Sequence, residues 1–330
     1  RTIYCHTEQG LRQIVLVAPA WHLDVVDGAT VQIKAAQLQH ARAPFDLSQD
    51  LPFRAQLLLQ QAGQAVLLLN LHHIAADGWS IRVLFDEFLV IYAALAQGRD
   101  VALPETQRQY LDFAVWQQAA LAQGVWDGQL AHWERVLANA PQNHGLPLDA
   151  PRPRCTGGVT EPLVCSIATP LVARLRQLAQ DLAITDFSLL QSVFALLMCR
   201  WSYSDEVVIG SPALGRGQPE LDASVGMFVN MLAYVHSFRL EQPIGDYLKE
   251  FQKQAADALE NQDIPFERVV EALKPQRDPG LHPIFQLLFA FQDDLPQRQD
   301  AGGLGLERLP DCATATKFDL ELLISRQDEG

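Results

Sequence analysis

The residues able to do chemistry stand close together in "LHHIAADGWS" (residues 71–80): two adjacent imidazoles, His72 and His73, and after three residues a carboxylate, Asp77, opening onto Gly78. The run "AVLLLN" before them reads as a strand, and neighbouring side chains at a strand end point to opposite sides. The two histidines therefore do not easily share one role. One faces the flanking structure, the other any cavity at the strand's end. The same alternation disfavours joint metal binding, and the chain has neither H-E-x-x-H nor a second Cys/His cluster to complete a zinc site. It also lacks G-x-S-x-G, G-x-x-x-x-G-K-[ST] and G-x-G-x-x-G, since "GGLGLE" (302–307) has the wrong spacing. What remains is an imidazole with no protein nucleophile beside it, suited to take a proton from one bound substrate as it attacks another. A purely structural histidine is the competing reading, and composition and spacing leave both open.

The elements around this stretch must position it. "PFRAQLLLQQAGQAVLLLNL" (52–71) reads as two antiparallel strands around the turn "QAGQ", the second delivering His72 and His73 at its end. "SIRVLFDEFLVIYAALAQG" (80–98) has apolar residues at helical spacing and stops on Gly98, a C-cap signal, so the candidate site lies in a strand-to-helix loop. Helices follow at 110–123 and 130–140. Beyond them come a strand near 159–168, helices at 170–183 and 188–201, a strand at 206–212, a strand after Gly226, a helix at 243–260 and a strand at 284–291. This alternation predicts an α/β or α+β protein. Pro, Gly and Asn gather in "PQNHGLPLDAPRPRCTGG", which predicts a linker at 141–158 between an N-terminal lobe, 1–140, and a C-terminal lobe, 159–330.

Composition narrows the function further. A chain of 330 residues, 48% apolar, can bury a sizeable core, and its net charge of −14 offers no general attraction to nucleic acid or anionic lipid. The uninterrupted apolar runs fall far below the ~20 residues of a membrane span. The start "RTIYCHTEQG" has no signal-peptide hydrophobic region, so a soluble protein is expected. Five scattered cysteines, none in C-x-x-C, indicate neither a disulfide framework nor a zinc knuckle and fit a cytoplasmic location.

"HHIAADGWS" resembles the HHxxxDG motif of condensation domains of nonribosomal peptide synthetases, within the chloramphenicol acetyltransferase-like superfamily. Other segments match that family in the same order. "RTIY" (1–4) resembles the end of RHExLRTxF, "YLDFAVWQ" (110–117) resembles Y-x-D-[FY]-A-x-W-Q, and "VVIGSPALGR" (207–216) resembles IGxPxxxR. "VGMFVNML" (225–232), "NQDIPFERVV" (261–270), "RDPGLHPIFQLLF" (277–289) and "KFDL" (317–320) continue the series.

The resemblance implies two chloramphenicol acetyltransferase-like lobes in a V around a central tunnel, and a chain truncated at both ends relative to family members. It implies amide formation between a donor acyl or peptidyl thioester and the amine of an acceptor aminoacyl thioester, both held on phosphopantetheine arms. The partners it implies are donor and acceptor carrier proteins and neighbouring adenylation and carrier domains, with no cofactor or metal bound by the domain itself. It assigns catalysis to His73 and a structural role to Asp77; on physical grounds the nearby Gly78 amide is a candidate oxyanion donor, and His72 reads as a loop-shaping residue. The arginine that pairs with Asp77 in the family is the first of RHExLRTxF, which this sequence does not include, so Asp77 is expected to be unpaired or to borrow another arginine such as Arg216. Trp79, Ser80, Pro212 and Asn230 are candidate tunnel residues, whereas Tyr110, Trp116 and His282 read as structural. An epimerisation domain usually departs from "DGWS" after its aspartate, and the heterocyclisation variant replaces the histidines. A coenzyme A-dependent acyltransferase fits the further motifs less well, and a non-catalytic carrier-docking fragment remains as the alternative from another class. "RPR" (152–154) and "KPQR" (274–277) are the visible basic candidates for carrier docking.

Overall fold

A computed structural model describes residues 1–326 except 9, 29–30, 150–151, 153–161, 276–277, 279, 294–297 and 310–315. In chain order its elements are β1 (Thr2–Thr7), β2 (Gly10–Val15), β3 (Asp24–Asp27), α1 (Ile33–Arg42), β4 (Phe53–Leu59), β5 (Ala65–Leu71), α2 (Gly78–Ala96), α3 (Tyr110–Ala122) and α4 (Asp127–Leu137). There follow α5 (Thr169–Leu182), α6 (Asp186–Ser202), β6 (Glu206–Ala213), β7 (Asn230–Ser237), α7 (Ile244–Glu260), α8 (Phe266–Leu273), β8 (Leu287–Asp293), β9 (Arg298–Ala301), β10 (Leu304–Glu307) and β11 (Leu320–Arg326).

These elements gather into two compact units. The first comprises Arg1–Phe113, Arg216–Phe228 and Pro296–Thr314, and the second Ala114–Gly215, Val229–Leu295 and Ala315–Gly330. The division differs from the one expected at 141–158, and the cause lies in side chains. Ala120 of α3, Trp133 and Leu137 of α4, and Trp126 between the helices are buried in the core of the second unit, which claims α4 and α3 from Ala114 onward. The expected linker is anchored there too: His144 is 5% exposed and hydrogen-bonds Asp319. In the other direction, residues 216–228 and 296–314 leave the second half of the sequence to complete the first unit.

In the first unit β3 runs parallel to β4 and β4 antiparallel to β5, with Phe53 opposite Leu71 and Leu59 opposite Ala65. The turn between β4 and β5 puts Ala62 and Gly63 at φ 58° and 74°, the left-handed region that suits the glycine of "QAGQ". Gly98, just past α2, has φ 62° and ends that helix as the sequence predicts. In the second unit the strand order is β11-β8-β6-β7, parallel except for the antiparallel pair β6–β7. β6 is covered on both faces, as a central strand should be: Val207 and Ile209 pack with Leu287 and Phe289 against α6, while Val208 joins the cluster containing Leu248 and Phe251 of α7. The strand expected near 159–168 is not formed over 162–168, where Leu163 and Val164 lie exposed and unpaired with any sheet; residues 159–161 lie outside the described ones. Cys5, Cys165 and Cys199 carry no disulfide, while Cys155 and Cys312 lie outside the described residues. Among the described residues no single helix is long and apolar enough to cross a membrane.

Candidate active site

The loop that bears the two histidines is tied at its start to the strand pair. His72 N–H donates to Pro52 O (3.0 Å), and the Tyr4 hydroxyl of β1 donates to Ile74 O (3.3 Å). Within the loop the imidazoles are held in opposite tautomers. His72 Nδ1 accepts the Ile74 N–H (3.1 Å), which leaves that nitrogen without a proton, and its ring meets Phe45 edge-on at 5.9 Å. His73 Nδ1 lies 2.8 Å from Ala76 O; a carbonyl can only accept, so Nδ1 carries the proton and Nε2 of the neutral ring carries a lone pair. His72 is half-buried and His73 exposed. Both histidines lie just past β5, in the loop, so it is their separate backbone hydrogen bonds that distinguish them.

Asp77 closes the loop and begins the helix. Its side chain caps α2 by accepting Ser80 N–H (2.8 Å), a second task that the sequence motif does not announce. The carboxylate, fully enclosed, also accepts the Ser80 hydroxyl (2.7 Å) and Phe228 N–H (3.0 Å). Arg216 supplies the cation, with Nη2 3.2 Å from Oδ1, a side chain only 2% exposed and a guanidinium 4.1 Å from the Phe228 ring centroid. Two more of its hydrogen bonds go to Leu221 O and Ser224 O. Asp77 is thus paired with Arg216, one of the outcomes expected for it. Buried charges of this kind are tolerable because both partners are also hydrogen-bonded.

Gly78 is the first residue of α2 and exposed; an amide there has no partner four residues back, and a Cβ added to it would meet nothing within 4 Å. Its N–H and the positive end of the helix dipole are therefore available at the loop. The tunnel candidates fare differently. Ser80 is wholly buried, and Trp79 is half-buried with Nε1 donating to Asp222 O (2.9 Å), so the polar atoms of both are spent inside the first unit. Asn230, in the second unit, has its whole amide engaged: Nδ2 donates to Gln262 O and Ile264 O, and Oδ1 accepts Met231 and Phe266 N–H. It serves as a remote cap for α8 in place of a substrate contact. Pro212 is exposed at the end of β6 opposite Met231. Tyr110 meets Phe228 edge-on (5.1 Å), and Trp116 stays 45% exposed against Trp126. His282 sits among Phe266, Phe285 and Phe318, with Nδ1 held by backbone carbonyls. Among the described residues no three His, Cys, Asp or Glu side chains are grouped to hold a metal ion.

The family model for the condensation domain matches residues 1–330. The chain belongs to the condensation domain family. It is 34% identical, over 98% of its length, to a linear gramicidin synthase of Brevibacillus parabrevis, of which it spans 4%. The fold is similar to the X-domain from teicoplanin biosynthesis (TM-score 0.89, 22% identity, all of this chain and 75% of that one), which has also been solved in a complex with OxyB. A holo four-domain nonribosomal peptide synthetase bound to AMP and glycine contains a similar domain (TM-score 0.87, 25% identity, all of this chain and 26% of that one). The chain therefore has the chloramphenicol acetyltransferase-like fold of a peptide-synthetase condensation domain, and spans only a small part of such a synthetase.

Proposed function

We propose that this condensation domain joins a donor acyl or peptidyl thioester to the amine of an acceptor aminoacyl thioester, each presented on the phosphopantetheine arm of a carrier protein. The observation that carries the reading is the tautomer of His73, an exposed residue: Nδ1 donates its proton to Ala76 O, which leaves the lone pair of the neutral ring on Nε2. An α-amino group has a pKa of about 7.7–8.0, so near neutral pH part of it is already uncharged and a strong base would add little. Holding the two tethered reactants in line is the larger task. The amine nitrogen attacks the thioester carbonyl carbon, Nε2 of His73 takes the proton the nitrogen sheds, the Gly78 amide faces the carbonyl oxygen as it becomes anionic, and the C–S bond breaks as the carbonyl re-forms. The departing thiolate takes the proton from Nε2 of His73, which restores the neutral ring, and no acyl-enzyme forms. The thioester is already activated, so the step calls on no cofactor held by the domain.

Docking of carriers on a chain of net charge −14 calls for local patches. Of the two basic segments, "RPR" is compromised because Arg152 is bound to Asp319 (2.5 Å); Pro153 and Arg154 lie outside the described residues. Lys274 of "KPQR" is exposed, with Gln276 and Arg277 outside the described residues. A second reading, a docking platform without catalysis, has support in the likeness to the X-domain, which forms a complex with OxyB. The two separate in one assay. Mixing the domain, carried in a protein extended at both ends, with donor and acceptor aminoacyl carrier proteins yields a carrier-bound dipeptide under the catalytic reading; carrier binding with no dipeptide favours the platform.

A further inference from the structure

The hydroxyl of Ser80 occupies a place that the reaction scheme does not use. Its oxygen lies 3.0 Å from Arg216 Nη2 and 3.0 Å from Gly226 N, both of which donate to it, and 2.7 Å from Asp77 Oδ1 and 2.9 Å from Gly226 O, which compete for its one hydrogen. A hydroxyl has one hydrogen and two lone pairs, so the two donors saturate it on one side and the nearby carboxylate draws the hydrogen on the other. Ser80 is 0% exposed.

These bonds reach His73 through a single peptide group. The carbonyl that holds the His73 ring, Ala76 O, belongs to the peptide whose N–H, on Asp77, donates to Gly226 O (3.2 Å). That peptide is planar, so fixing its N–H fixes the direction of its carbonyl. Gly226 in turn is pinned by donating its own N–H to Ser80, and it has no freedom to shift inward, since even a Cβ there would stand 2.2 Å from the Tyr110 ring. We propose that Ser80 is a positioning residue: by locking Gly226, and with it segment 216–228, onto the HHxxxDG loop, it sets the direction in which His73 presents Nε2. The inference rests on the reading of His73 as the proton acceptor.

Ser80→Ala leaves the Gly226 and Arg216 N–H groups without that acceptor and frees the 76–77 peptide to tilt. In the extended protein, with carrier-bound donor and acceptor, kcat is expected to fall about 10–100-fold from misplacement of the base, and KM to stay within about twofold. The ring nitrogens of His73, followed by 15N NMR, are expected to lose the uniform Nδ1–H tautomer. Ser80→Cys, which retains a weak donor and acceptor of similar size, is expected to lie between the two, and decides the matter if Ser80→Ala does not fold. A folded Ser80→Ala protein with unchanged kcat per folded molecule, or with His73 ring signals identical to the parent, would overturn the proposal. His73→Ala is run alongside: if that variant still makes dipeptide, the reading of His73 fails, whereas the NMR result on Ser80→Ala still reports whether Ser80 sets the ring.

Discussion

At the residue scale, the two histidines of the motif differ by one hydrogen bond each. His72 receives a backbone N–H at Nδ1 and so becomes part of the loop, whereas His73 gives its Nδ1–H to Ala76 O and keeps a lone pair for chemistry. Strand alternation does not apply to them, because β5 ends at Leu71, and which tautomer each adopts depends on backbone atoms two and three residues on. From the sequence, pairing of Asp77 with Arg216 is only one of two outcomes: Arg216 lies 139 residues away, and folding brings segment 216–228 to the loop. Asp77→Ala leaves Arg216 as an uncompensated buried cation, and denaturant unfolding should report a loss of about 3–5 kcal/mol. A change within about 0.5 kcal/mol, as at ordinary surface sites, would mean the pair is not a buried one in solution. Gly78→Ala makes the opposite test. With open space around the added methyl, stability should hold or rise slightly by helix propensity, and any fall in dipeptide formation would then measure how closely the acyl group approaches the helix start.

At the element scale, the hairpin 53–71, the helix from the site to Gly98, the long helices and the central strand β6 were readable from apolar period and turn residues. The strand near 159–168 was not realised over 162–168, since alternation marks a segment that could pair and says nothing about whether an edge is there to receive it. Elements with no buried residue, such as α1 and β2, give little periodic signal, and α8 is only two turns long. Asn230 marks a further limit of sequence reading. An asparagine within the motif-like "FVN" suggests a ligand contact, yet its amide binds four backbone groups and supplies the helix α8 with a cap from across the chain. Asn230→Ala should therefore cost about 1–3 kcal/mol through the part-buried backbone groups it leaves unsatisfied, with KM for both carriers unchanged in the folded protein. A KM shift without a stability loss would return Asn230 to the substrate.

At the scale of the whole molecule, buried titratable groups set the response to acid. His236, inside the second unit, stacks on Phe251 and bonds the Tyr247 hydroxyl, and burial pushes its imidazolium down to about 3 from the usual 6.5. The unfolded chain binds this proton below pH 6.5 and the folded one does not until about pH 3, so the stability it contributes is complete above 6.5 and falls through that window. Asp319 adds to the acid limb. Burial raises its pKa, but hydrogen bonds from Arg152 and His144 outweigh that and leave it below its usual value, so its contribution is lost as pH drops through the carboxylate range. His236→Phe should flatten the stability profile between pH 6.5 and about 3, read by denaturant midpoints at each pH; an unchanged slope would show that the ring is reached by protons in the folded state.

The central claim is that His73 accepts the amine proton in a reaction between two carrier-bound substrates. Its most direct measurement is single-turnover dipeptide formation by the His73→Ala protein, with circular dichroism and thermal unfolding matched to the parent. Loss of about 10²–10⁴-fold in rate, the usual worth of a positioned general base, is the expected result. Near-normal turnover in a folded His73→Ala protein would contradict the account.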